Sequence, residues 1–299
     1  MCDCWKEKSS TQLALKQVSH VANVFRMAGG QLVMISGGEP LLREDITDML
    51  KIIRDLGLEV ALNTNGILLG QQKQQLFSLC STIVVSMDAA DDSLYKKIRG
   101  CGALGRVIEG VKHVQSLLPS LEIQFRCTIS RYNLFNFSEV INLAKTLGIA
   151  GVGFSPIDYD SNSFGRDSRF QSSVGRERLI PSSEEIERFN KLLDGELGEF
   201  LEKAYNEKVI SWSLVRFRQL STYLLAKFEG RNQGFSDEPC FFPHTATLVD
   251  YGGEVKHCFY SSSYARVESV SPEELVSSDR ISCVRTEGKC RGCRGQVFT

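Results

Sequence analysis

Gln31-Leu32-Val33-Met34-Ile35-Ser36-Gly37-Gly38-Glu39-Pro40-Leu41-Leu42-Arg43-Glu44 is the stretch on which the fold turns. The apolar run from Gln31 to Ser36, bounded by glycines, reads as a strand, and Gly37-Gly38 as a loop. The helical pattern that starts at Glu44 runs to Leu56 and stops at Gly57. The same cycle then repeats. Leu58–Asn63 reads as a strand with a helical Leu68–Cys80 behind it, and Thr82–Met87 as a strand before helices around Tyr95 and over Val107–Leu118. Leu121–Ser130 leads to a helical Phe137–Leu147, and Gly151–Ile157 is one more strand. Strand starts near 31, 58, 82, 121 and 151 form an alternating βα series, which calls for parallel strands with helices outside. A barrel and an open doubly wound sheet both satisfy it, and periodicity does not choose between them.

Working outward, Leu15, Val18, Val21, Ala22 and Phe25 recur at helical spacing between Ser9 and Ala28, and Gly29-Gly30 ends that run. Residues 158–180 break the βα pattern with Asp, Ser, Asn, Gly and Arg and read as a surface loop. Pro181-Ser182-Ser183 with Glu185 is a capping-box signal opening a helical segment with Ile186, Phe189, Leu193, Phe200 and Leu201 on one face. A second helical stretch lies near Trp212–Phe228. After Gly230 the composition shifts to Cys, Gly and aromatics, which puts a boundary at about 232.

A chain of 299 residues with 42% apolar content buries a barrel-sized core, and 35 basic against 36 acidic residues give no single-sign field for nucleic acid or an anionic membrane. The partner expected is therefore a small molecule or a peptide, with no nucleic acid and no membrane. The apolar stretches are strand-sized, far below the roughly 20 residues of a membrane span, and Met1-Cys2-Asp3-Cys4-Trp5-Lys6 has no signal-peptide core. A cytoplasmic location follows as the expectation. Ten cysteines in such a chain point to metal or cluster ligation before disulfides.

Gly37-Gly38-Glu39-Pro40 stands just after a strand, where a βα barrel keeps its site loops, and two glycines let the backbone approach a ligand closely. Asn63-Thr64-Asn65-Gly66, Val85-Ser86-Met87-Asp88 and Tyr95 with Ile98-Arg99-Gly100 follow at the next strand ends. In this combination, residues 2–157 resemble the radical S-adenosylmethionine (SAM) superfamily. The resemblance implies a partial (βα) barrel in which Gly37, Gly38, Glu39 and Pro40 cradle the SAM methionine. It implies that Asn63 belongs to the same site, that Ser86 and Asp88 face the SAM ribose or the substrate, and that Arg126 pairs with the SAM carboxylate.

The family's cluster loop is C-x-x-x-C-x-x-C, and Met1-Cys2-Asp3-Cys4-Trp5-Lys6 matches only its end, with Cys2 at the third cysteine. Two readings follow. Either the first strand and two cluster cysteines lie upstream of Met1, which is the reading taken forward, or the chain is a degenerate relative that lost this cluster. At the other end, Cys240, Cys258, Cys290 and Cys293 form a four-thiolate set, with Cys283 left over. On chemistry alone the set suits tetrahedral zinc and an iron–sulfur cluster equally. Its spacing resembles the twitch cap, a shortened relative of the SPASM domain, which implies one auxiliary [4Fe-4S] cluster. Cys80, Cys101 and Cys127 read as small hydrophobes of the barrel.

The resulting organisation is α/β: a radical SAM partial barrel lacking its first strand over 1–180, a helical linker over 181–232 and a small Cys-rich cap over 233–299. The activity implied is reductive cleavage of SAM to a 5′-deoxyadenosyl radical, which takes hydrogen from a small-molecule or peptide substrate. An electron donor such as flavodoxin or ferredoxin is implied with it. The competing expectation is a non-catalytic relative that serves as an iron–sulfur or zinc-binding scaffold.

Overall fold

The computed structural model describes residues 12–158, 177–231, 242–259 and 261–276. Helix α1 (Leu15–Met27) precedes five strands, β1 (Leu32–Ile35), β2 (Glu59–Thr64), β3 (Thr82–Ser86), β4 (Glu122–Ile129) and β5 (Gly151–Pro156). Between them lie α2 (Ile46–Asp55), α3 (Gln74–Phe77), α4 (Asp92–Arg99), α5 (Leu104–Leu117) and α6 (Phe137–Leu147). All four strand pairs are parallel, and the sheet order is the chain order, β1-β2-β3-β4-β5. An open doubly wound sheet needs a reversal of strand order. Here there is none, and right-handed crossovers then put every connecting helix on one face, as in a barrel segment.

Alternating burial shows which face that is. Ile123, Phe125, Cys127 and Ile129 of β4 are buried, while Glu122, Gln124, Arg126 and Thr128 point the other way. On β5, Val152, Phe154 and Pro156 are buried, and Gly151, Gly153 and Ser155 lie on the more open face. The apolar set meets Val107, Val111 and Val114 of α5 and Val140, Ile141 and Ala144 of α6 in one core. Each large apolar side chain enclosed there contributes roughly 1.5–3 kcal/mol. The opposite, polar-lined face is the inner face of the barrel segment.

The expected capping box is formed. Ser182 Oγ accepts from the Glu185 N–H at 3.2 Å, and Glu185 accepts from the Ser182 N–H at 2.7 Å, opening α7 (Ser183–Leu193). With α8 (Glu196–Asn206) and α9 (Leu214–Phe228), α7 packs into the same core as the sheet. Phe137 stacks on Phe217 at 5.3 Å, and Phe154 meets Phe217 edge-on at 5.3 Å. The segment expected as a linker thus covers the end of the βα series.

Beyond it, α10 (Phe242–Thr245) leads to an antiparallel sheet of β6 (Leu248–Val249), β7 (Glu254–Lys256) and β8 (Ser263–Arg266), followed by α11 (Pro272–Leu275). Asp250 organises the β6–β7 turn by accepting from the N–H groups of Gly252 and Glu254 at 2.9 and 3.0 Å. Val255, Val270 and Leu275 form a second small core with Val24, so this sheet rests on α1. Among the described residues, no helix is long and apolar enough to cross a membrane.

Candidate active site

A single carboxylate ties the loops after β1 and β2. Glu39 Oε1 accepts from the Leu41 N–H at 3.1 Å and from the Thr64 hydroxyl at 2.7 Å, and Oε2 accepts from the Asn65 N–H at 2.7 Å. Pro40 is buried at the start of the 3-10 turn Pro40–Leu42 that Glu39 caps. The Glu39 side chain thus bonds protein donors and shapes the loop whose backbone the resemblance assigns to the cradle.

What the tie leaves free is the glycine pair. Gly37 has φ +135°, where an L side chain is strained, and a Cβ built on Gly37 or Gly38 would meet nothing within 4 Å. Beside this open space, Asn63 donates through Nδ2 to Ser36 Oγ at 3.2 Å. Its Oδ1 is enclosed yet has no hydrogen-bond partner among the described residues. An acceptor left so costs about 1–3 kcal/mol unless something donates to it. Backbone open to a ligand and an unpaired acceptor beside it suit the amino-acid or ribose part of SAM.

Asp88 departs from expectation. It is fully buried, with Oδ1 accepting from the Thr128 N–H at 2.7 Å and Oδ2 ion-paired with Arg99 at 2.7 Å. Asn133, also fully buried, donates to the carbonyls of Asp88 and Thr128 at 2.9 and 3.0 Å. These residues clamp the C-terminal ends of β3 and β4 together; Asp88 Oδ2 is held there by the Arg99 ion pair and accepts no hydrogen bond among the described residues. Arg99 was not anticipated as its partner. The signal lay in the helical spacing, because Arg99 is four residues beyond the buried Tyr95 and so shares its sheetward side of α4.

Ser86 and Arg126 are register partners, and Arg126 pairs in turn with Gly153, so all three share the inner face. The Arg126 guanidinium lies against β5: a Cβ on Gly153 would stand 3.0 Å from Nη1 and 3.1 Å from Cζ. The structure therefore brings Gly37, Gly38, Asn63 and Ser86 to the open side of the strand ends, and turns Arg126 toward the neighbouring strand.

Cys2, Cys240, Cys290 and Cys293 lie outside the described residues. Cys258, half-buried just after β7, donates its N–H to Ser261 Oγ at 3.2 Å, and His257 beside it stacks on Tyr264 at 4.1 Å. Among the described residues, no three His, Cys, Asp or Glu side chains are grouped to hold a metal. Cys80 and Cys127 are buried in the barrel core, as expected; desolvation pushes the Cys80 thiol up to about 12 and the Cys127 thiol well above its ordinary value.

The model of the radical SAM superfamily matches residues 1–146. A probable GTP 3′,8-cyclase of Sulfurisphaera tokodaii is 30% identical over 173 residues, covering 56% of this chain and 55% of the relative. An AdoMet-dependent heme synthase of Methanosarcina barkeri is 27% identical over 184 residues, 60% of this chain and 52% of the relative. The chain thus spans about half the length of the curated relatives it matches. Among solved structures, Streptococcus suis SuiB bound to the precursor peptide SuiA aligns with a TM-score of 0.64 at 13% identity, over 100% of this chain and 67% of that one. Native anSMEcpe with bound AdoMet aligns with a TM-score of 0.60 at 16% identity, over 93% of this chain and 75% of that one. At these identities the two structures show a shared fold.

Proposed function

From the match of residues 1–146 to the radical SAM superfamily we propose that the chain is a radical SAM enzyme with SAM held at the C-terminal ends of β1, β2 and β3. One observation carries this reading: the Glu39 tie holds the Gly37-Gly38 backbone open beside the unpaired Asn63 Oδ1. With a reduced [4Fe-4S] cluster, bound SAM supplies a carbon-centred radical that removes hydrogen from a substrate. This chain's residues position it. The backbone of Gly37 and Gly38 admits the methionine end, Asn63 Oδ1 accepts from it, and Ser86 offers a hydroxyl on the same face. The Asp88–Arg99 clamp keeps the strand ends in place.

The same proposal assigns Cys2 to the SAM-binding cluster and Cys240, Cys258, Cys290 and Cys293 to one auxiliary [4Fe-4S] cluster in a cap over 233–299. The position of Cys258 at the end of a short hairpin supports a ligand there. An electron donor of the flavodoxin or ferredoxin type completes the set. For the substrate, the relatives' names support a small molecule and the peptide bound to SuiB supports a peptide.

Binding of S-adenosylhomocysteine, measured by calorimetry, tests the site without requiring turnover. Gly38→Val fills the open space with a branched side chain at a position whose φ is not restricted to glycine. The expected result is an affinity reduced by about tenfold or more, 1.4 kcal/mol, with unchanged melting temperature. Equal affinity in the variant overturns the assignment.

A further inference from the structure

We propose that Ser36 is a positioning residue, which holds the Asn63 amide so that its free end faces a proton-donating group of the bound cofactor. Only the name of that cofactor rests on the SAM reading. Ser36 carries the last side chain before the bare Gly37-Gly38 backbone. It lies beside Asn63, because β1 and β2 pair through Ile35 and Leu62 and these two residues come next. The bond from Asn63 Nδ2 to Ser36 Oγ at 3.2 Å therefore crosses between strands at the threshold of the cradle.

The surroundings of Asn63 leave Ser36 without a substitute. On its other side, the register partner of Asn63 is Val84, which is apolar and buried. Two residues back on the same face of β2 is Ala61, also apolar and buried. Two residues forward, Asn65 commits its Oδ1 to the Ile67 N–H at 2.9 Å. The terminal torsion of an asparagine is broad and roughly two-fold, so an amide with no polar neighbour turns readily from one end to the other. One hydrogen bond at Nδ2 breaks that symmetry.

With Ser36 accepting, the end left over is Oδ1, which is enclosed and has no hydrogen-bond partner among the described residues. An amide oxygen accepts and cannot donate. The group that it takes must then carry a proton, and at the methionine end of SAM the ammonium qualifies while the carboxylate does not. Ser36 thus acts through Asn63, by setting which part of the amide the cofactor meets. Ser36 itself is exposed and makes no other side-chain hydrogen bond among the described residues, so replacing it disturbs no core contact.

The test is calorimetric titration of the full chain with S-adenosylhomocysteine, for the wild type, Ser36→Ala, Ser36→Thr, Asn63→Ala and the Ser36→Ala/Asn63→Ala double variant. Beside it, the side-chain NH₂ signals of the ligand-free proteins are recorded by NMR with labelled asparagine, the Asn63 pair being assigned by its absence from Asn63→Ala. Ser36→Ala should melt like the wild type and bind about three- to tenfold more weakly, the equivalent of one hydrogen bond. Ser36→Thr, which restores the hydroxyl, should recover that affinity. In the Asn63→Ala background, Ser36→Ala should change nothing further, because a residue that acts through another has no effect once the other is gone. Without ligand, the Asn63 NH₂ signals should shift in Ser36→Ala and return in Ser36→Thr.

Unchanged affinity in Ser36→Ala overturns the assignment, and so does a loss that threonine does not restore. An equal loss with and without Asn63 shows that Ser36 acts independently of that amide and overturns it as well, as does an Asn63 signal indifferent to Ser36. Failure of S-adenosylhomocysteine to bind the wild type, with the Asn63 signal still governed by Ser36, would sink the cofactor reading alone and support the hold of Ser36 on Asn63.

Discussion

Glu39→Gln is the most discriminating single change, because it preserves shape and removes only charge and one acceptor. The carboxylate accepts three hydrogen bonds, two at Oε1 and one at Oε2. With its amide oxygen at the Oε1 place, glutamine keeps the bonds from Leu41 and Thr64 but sets an NH₂ group against the Asn65 N–H; the flipped amide loses two bonds instead of one. Bonds to a charged group are worth roughly 1.5–3 kcal/mol each, and Glu39 is half-buried, so the lower end applies and the cost is about 2 kcal/mol. For a chain of this size, that lowers the melting temperature by about 4 °C. Glu39→Ala removes all three bonds and strands the buried Thr64 hydroxyl, so it should cost more. Urea unfolding with an unchanged m-value reads the loss directly. S-adenosylhomocysteine affinity should fall in parallel as the glycine pair loses its support. A Glu39→Gln protein within about 0.5 kcal/mol of wild type, the range of an ordinary surface change, refutes the tie.

Arg99→Met leaves the buried Asp88 carboxylate without its cation and should destabilise by about 3–5 kcal/mol, whereas adding Asp88→Asn should recover part of that loss; an additive double variant in urea unfolding denies the pairing. The Cys80 thiol titrates near 12 in the fold against 9.0 ordinarily, so the fold favours the protonated form. Its contribution is complete below pH 9.0 and is lost as pH rises toward 12. Peptide mapping after alkylation below pH 9.0 should find Cys101 modified and Cys80 and Cys127 protected until denaturation; native-state labelling of either buried thiol contradicts their enclosure. Ser182→Ala should cost about 1 kcal/mol through loss of the α7 cap, checked in the same urea assay.

How far the sequence was legible depends on what each element needed from elsewhere. Helix α6 was expected over Phe137–Leu147 and is found there, since its apolar stripe and the Gly148 stop are both local. Leu68–Cys80 was expected as one helix and instead splits into the 3-10 turn Leu69–Gln71 and the short α3. The reason lies in α5: a Cβ on Gly110 would stand 2.8 Å from Leu69 Cβ and 3.2 Å from Gly70 N, so the chain is pressed against that helix too closely for a regular one of its own. Similarly, the apolar face from Ile186 to Leu201 was read as continuous because α7 and α8 bury their residues in one core, and only Gly195 marks the break between them.

The site divides along the same line. A glycine pair after a strand announces itself, because exposed backbone is a property of those residues alone. The function of a carboxylate is not local: Glu39 finds Thr64 only because β1 and β2 pair at Ile35 and Leu62, and Asp88 finds the Thr128 N–H only because β3 and β4 end side by side. Asp88 was expected to face a ligand and Glu39 to belong to a loop that cradles one; the carboxylates of both brace the strand ends. That division of labour has a physical logic, since a loop that must offer bare backbone has no side chains with which to hold its own shape, and the bracing has to come from neighbouring strands.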